Sequence, residues 1–146
     1  MLIHRTPVII AGKSRGYAKG SVVREAKGFV LLSGAVGQDP VTGEIPKGIG
    51  EQTRLAMESI KARLGEYGAP LKNILFVRRY MKGNFPNGIV NDPAYQESDR
   101  VVQQFWRENC PELLRENNPP ASTLLGVTSL AMPEMLIEIE VVAALD

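Results

Sequence analysis

One stretch near the end of the chain, Met135-Leu136-Ile137-Glu138-Ile139-Glu140-Val141-Val142, constrains the fold more than any other. Successive side chains of a strand point to opposite faces. Ile137, Ile139 and Val141 therefore share one face, and Leu136, Glu138, Glu140 and Val142 share the other. The first face can only be core. The second is half charged and half apolar, and its apolar half needs something to pack on.

The other elements follow from punctuation and periodicity. Ser21 to Arg24 and Phe29 to Ser33 read as two strands of a hairpin about Lys27-Gly28, preceded by a lead-in bearing Gly and Lys. Asp39-Pro40-Val41-Thr42-Gly43 predicts a tight turn, with Pro presetting φ, Asp bonding nearby amides and Gly accepting positive φ. Between Glu51 and Tyr67, the apolar residues Ala56, Ile60 and Leu64 recur at intervals of four, which predicts a helix ended by Gly68. Ile74 to Met81 reads as a strand. Its neighbours Arg78 and Arg79 must project to opposite faces, so at most one can share the side of Phe76.

Asp92 before Pro93 is an N-cap followed by proline at the first helical position. Tyr95, Val102, Phe105 and Trp106 make the apolar stripe of this second helix. A loop at 116–120 separates it from strands over Ser122 to Val127 and Met135 to Leu145. The order is ββαβαββ, a single α/β domain over residues 1–146 with one mixed sheet. Two helices can cover one face of that sheet, and self-association is the economical cover for the other.

Charge and composition narrow the function. Lys+Arg 17 against Asp+Glu 16 gives a net charge of +1, without the basic excess that phosphate neutralisation needs, so nucleic acid is not expected as the main partner. One Cys and one His cannot form an internal disulfide or a four-ligand Cys/His metal site, and no metal is expected. His4 has no triad partner at a recognisable spacing and reads as a surface residue. The first residues do not suggest a secretory signal and no segment has the apolar length of a membrane span, so a cytoplasmic setting without membrane association is expected.

Several segments together resemble the Rid (reactive intermediate deaminase) superfamily, also called the YjgF family and, in older usage, the endoribonuclease L-PSP family. Ser33-Gly34-Ala35-Val36-Gly37-Gln38-Asp39-Pro40-Val41-Thr42-Gly43-Glu44 is similar to its strand end and DPxTGE turn, and Glu51-Gln52-Thr53-Arg54 to the start of its first helix. Asn118-Pro119-Pro120-Ala121 and Ile137-Glu138-Ile139-Glu140 match its C-terminal signature in place and order. Each piece alone is weak; together, in this order, they are specific. The match fails chiefly around 83–93 and 107–116, where the chain looks longer than typical members.

The resemblance implies a chorismate-mutase-like fold with two helices on one face of the sheet, a homotrimer around a central barrel, and a ligand cleft at each interface. It further implies hydrolytic deamination of enamine or imine metabolites without metal or organic cofactor. Glu138 matches the family's water-activating glutamate, and Tyr17, Ser33 and Gly34 match positions that contact ligand; each also fits an ordinary structural role. The family's carboxylate-clamping arginine follows the Pro-Ala pair, and here that residue is Ser122. A neutral hydroxyl bond contributes about 1 kcal/mol, against roughly 1.5–3 for a charge-assisted one, so serine is no substitute. Three explanations are open: a substrate without that carboxylate, an arginine from elsewhere (Arg78, Arg79, Arg15 or Arg100), or a non-catalytic trimeric binding or regulatory protein.

Overall fold

The computed structural model describes all of residues 1–146. Its strands are β1 (Leu2–Ile10), β2 (Lys13–Arg24), β3 (Gly28–Leu31), β4 (Ala35–Val36), β5 (Ile74–Lys82), β6 (Ala121–Val127) and β7 (Ile137–Leu145). The helices are α1 (Ile49–Glu66) and α2 (Pro93–Asn109). One mixed sheet runs β1-β2-β6-β5-β7-β3, with β4 also on β7. β5 and β6 are parallel neighbours joined through α2, whereas β7 runs antiparallel to β5 and β3.

The alternation along β7 sorts its side chains as expected. Ile137, Ile139 and Val141 are buried beneath the helices with Val77 and Met81 of β5. Ile60 and Leu64 of α1 and Val102, Phe105 and Trp106 of α2 complete that core, with Phe105 and Trp106 packed edge to face. At the helix interface the Thr53 hydroxyl donates to the Ile49 carbonyl at 2.7 Å, so the 2.8 Å contact to Ser98 must be donated by Ser98. This buried polar pair fixes how α1 meets α2. Asp92 caps α2 by accepting from the Ala94 amide at 2.9 Å.

Two expectations are corrected. The hairpin about Lys27-Gly28 does not form, because β2 pairs with β1 and β6 whereas β3 pairs with β7 at the far edge. Past Ala18, β2 crosses the start of β5, where the Ser21 hydroxyl donates to the Leu75 carbonyl at 2.7 Å, and so delivers the chain to that edge. The true hairpin lies earlier, at Ala11-Gly12, both with positive φ as a two-residue primed turn requires. The lead-in is thus β1 and most of β2. Pro7 disguised it, being tolerated only because β1 is an edge strand and shifts register on both sides of that residue. Arg5 of β1 is buried and donates to the Lys72 and Ile74 carbonyls, each at 2.7 Å.

The second strand of the predicted hairpin also ends early. β3 stops at Leu31, and the chain rejoins β7 as β4, leaving Ser33 and Gly34 in the break. The predicted tight turn forms: Asp39 Oδ1 accepts from the Val41 and Thr42 amides at 2.8 and 2.9 Å, and Gly43 has φ +76°. Those two amides hold the Asp39 carboxyl below the usual carboxylate range, Thr42 contributing more than Val41.

Candidate functional site

Strand register decides which arginine meets Ser122. Ser122 lies beside Val77, whose side chain is buried under the helices, so Ser122 points to the helix side of β6. Arg79 is two residues further along β5 on that same face. Arg78 points the other way, stacked 5.1 Å from the Phe76 ring, which settles which of the two shares the side of Phe76.

Between α2, β2 and the β5–β6 pair opens a cleft of ≈ 590 Å³, within the usual range for small-molecule sites. Ser122, Tyr17 and Arg79 all line it. Arg79 is largely shielded from solvent, lies 5.3 Å from the Tyr95 ring, and donates to Asp99 Oδ1 at 3.2 Å. That bond uses one of five guanidinium N–H groups, so a fork remains for a ligand. Asp99, on α2, also accepts from Arg115 through its other oxygen. Arg15 and Arg100 line the same cleft; Arg100 is tied to Glu97 at 2.9 Å, and Arg15 has no ion-pair partner in the chain.

Glu138, Ser33, Gly34 and Arg78 are not in this cleft. Glu138 lies on the uncovered face, against the break between β3 and β4, where a Cβ at Gly34 would overlap its carboxylate. Glu138 has no salt bridge within the chain. Glu140 on the same face is engaged, accepting from Arg78 at 2.5 Å and from the Tyr80 hydroxyl at 2.8 Å. The Tyr80 hydroxyl and then the Glu140 carboxylate hold the Arg78 guanidinium above its ordinary value. The expected residues therefore form two groups on opposite faces of the sheet.

Sequence reasoning missed Arg115. It lies in one of the two stretches that depart from the family pattern, and its aliphatic stem crosses Gly16, where an added Cβ would meet it at 3.1 Å. Both of those stretches reach the cleft, through Val90 from one and Leu113 and Arg115 from the other. Only that general signal, a loop of unusual length beside a cleft, could have drawn attention to it. No three His, Cys, Asp or Glu side chains converge as a metal site, and neither helix is long and apolar enough to cross a membrane.

A mixed sheet backed by two helices on one face, with a cleft beside its parallel strand pair, places the chain among chorismate-mutase-like α/β proteins. The family model "Endoribonuclease L-PSP" matches residues 13–145, and the chain belongs to this family, that of the Rid or YjgF proteins. It is similar to a RutC family protein of Pyrococcus abyssi, 34% identical over 116 residues, covering 79% of this chain and 77% of the relative. In fold it is similar to the Rid family protein YyfB of Yersinia pestis, with TM-score 0.67, 23% identity, and coverage of 89% of this chain and 87% of that one. Escherichia coli TdcF, solved with bound serine, matches with TM-score 0.66 and 25% identity over 97% of this chain and 94% of its own.

Proposed function

We propose that the protein is a hydrolytic deaminase of enamine or imine metabolites that works as a cytoplasmic homotrimer with composite clefts. One observation carries the reading. Arg79 enters the cleft beside Ser122, so the guanidinium that relatives carry on β6 is supplied here from the neighbouring strand. A planar fork in a partly desolvated site binds a carboxylate through two charge-assisted bonds, which the serine cannot. Small-molecule binding in this fold is illustrated by TdcF with its serine.

The chemistry needs a positioned substrate, water and a proton carrier. Water adds to the imine carbon, forming a C–O bond and a carbinolamine. A proton then moves to nitrogen, the C–N bond breaks, and a keto acid and ammonia leave. Arg79 holds the carboxylate, Tyr17 offers a hydroxyl at the cleft wall, and neither a metal nor an organic cofactor is required. Glu138 is the proton carrier of this reading. Within one chain it faces away from the cleft, so a second copy brings its Glu138, Ser33 and Gly34 to the rim. The uncovered face, with Phe29 55% and Leu31 74% exposed, supports such an assembly.

Ammonia release from freshly generated imines tests the reading. Turnover is expected, with a loss of about 10²-fold in Arg79→Gln, the scale of a lost charged contact in a transition state. Ser122→Arg is expected to change 2-aminoacrylate turnover little, because the clamp is already present. Absence of ammonia from every imine, in both the parent and a trimeric Ser122→Arg variant, would instead establish the binding-protein reading. The engagement of both Arg79 and Arg115 by Asp99 is the observation that favours this second reading.

A further inference from the structure

We infer that Asp99 and Arg115 are positioning residues for Arg79: Asp99 fixes the guanidinium that clamps the ligand, and Arg115 cancels the charge of Asp99. Arg79 thereby keeps its own charge for the ligand. The inference rests on Arg79 being the clamp of the proposed function. Arg79 and Asp99 are only 13% and 11% exposed, and they meet through one guanidinium nitrogen and Oδ1 at 3.2 Å. That single contact orients the guanidinium and leaves most of its N–H groups free. Taken alone, it also works against binding. A carboxylate beside the clamp repels the carboxylate of a ligand, and an isolated Arg–Asp pair has no net charge to attract one.

The other oxygen of Asp99 removes that obstacle. It accepts from Arg115, so two guanidinium groups share one carboxylate and the trio keeps a single positive charge. Arg115 is held in this place at three points. Its backbone amide donates to Gln103 Oε1 of α2 at 3.2 Å, its stem lies across Gly16 of β2, and its guanidinium ends on Asp99. Gly16 has φ +74°, and a side chain there would press on the Arg115 stem. One residue before Asp99, the buried contact of Ser98 with Thr53 holds this turn of α2 against α1. Arg115 thus acts on the ligand through Asp99 and Arg79.

Trp106, the only tryptophan, lines the cleft and reports its occupancy by fluorescence without any turnover. The intact protein and its variants are titrated with 2-oxobutanoate, a product-like monocarboxylate. Arg115→Gln is expected to weaken binding about tenfold, the scale of one unit charge in a partly screened site. Adding Asp99→Asn should return the affinity to within about threefold of the parent, because asparagine keeps an oxygen for Arg79 and has no charge to cancel. Arg115→Lys, which keeps the charge, should lose less than Arg115→Gln. The Arg115 side chain is half exposed and its backbone bond to Gln103 survives substitution, so the fold is not at stake. Arg15, Arg100 and any Glu138 that a second copy brings to the rim contribute equally to every variant, so the cycle isolates the trio. Unchanged affinity in Arg115→Gln overturns the inference. A loss that Asp99→Asn fails to restore also overturns it, and would mean that Arg115 touches the ligand itself. Arg79→Gln separates the inference from the reading beneath it: a loss there with none in Arg115→Gln leaves the clamp standing and the inference overturned. Unchanged affinity in Arg79→Gln, or no binding by the parent at millimolar concentration, overturns the clamp and the inference together. Restoration by Asp99→Asn in a protein that releases no ammonia from any imine overturns the deaminase reading and leaves this inference standing.

Discussion

The two faces of the central sheet are made by the same strands and obey different rules. On the helix side, Ile137, Ile139 and Val141 are excluded from water by α1 and α2. One residue along in each case, Glu138, Glu140 and Val142 are half-buried on the uncovered face with Tyr80, beside the exposed Phe29 and Leu31. The covered face is completed by its own chain. The open face mixes apolar side chains with the Arg78–Glu140 ion pair and with Glu138, which has no salt-bridge partner in the chain. One alternating strand thus builds the core with one side and leaves the other for the proposed assembly.

Three experiments test that contrast, and a fourth probes a turn outside the sheet. The largest change is expected from Leu31→Glu, which places a charge among the exposed apolar side chains of the open face at its edge strand, β3. For the proposed trimer, light scattering is expected to report three subunits in the parent and to move toward one in the variant, while circular dichroism stays native. A trimer that survives would remove this face from the assembly. Ile139→Ala, on the covered face, is expected to cost about 2–5 kcal/mol in urea unfolding, because the site cannot collapse fully around the lost atoms. A cost below 1 kcal/mol would mean the two faces are equally loose.

A smaller effect separates the two glutamates. Glu138→Gln keeps the shape and removes the charge, and imine hydrolysis should fall about 10²-fold with the trimer intact. Glu140→Gln should lose far less, because its carboxylate is already held by Arg78 and Tyr80. Equal losses would assign both to structure. The smallest effect belongs to Asp39, which lies outside the sheet. Its folded carboxyl is held below the unfolded value by the Thr42 and Val41 amides, so its contribution is present above the ordinary Asp range and lost as pH falls through the folded value. Asp39→Asn should therefore be less stable than the parent at pH 7, with the gap closing toward pH 3 in paired urea titrations. A gap that persists in acid would show that charge is not what the turn uses.

Much of the fold is legible in the sequence alone. The period of two along Ile137 to Val141, the period near four from Ala56 to Leu64, the Asp92-Pro93 start of α2 and the Asp39 to Gly43 turn are local patterns, because backbone geometry acts over a few residues. The family match arose the same way, from short segments in order. β1 was not legible, since Pro7 masks an edge strand that tolerates it through register shifts.

The site divides along the same line. The chain by itself determined that Arg78 and Arg79 face opposite ways and that a serine, Ser122, stands where the family resemblance implies an arginine. Only tertiary structure decided that Arg79 is the one on the Ser122 side, because parity between strands depends on the β5–β6 register across an intervening helix. It also decided that Arg115 meets Asp99 and crosses Gly16, and that Glu138 sits on Gly34, away from the cleft. Periodicity carries no information about residues that meet only after the chain has closed on itself, and the chemistry of this cleft is made of such meetings.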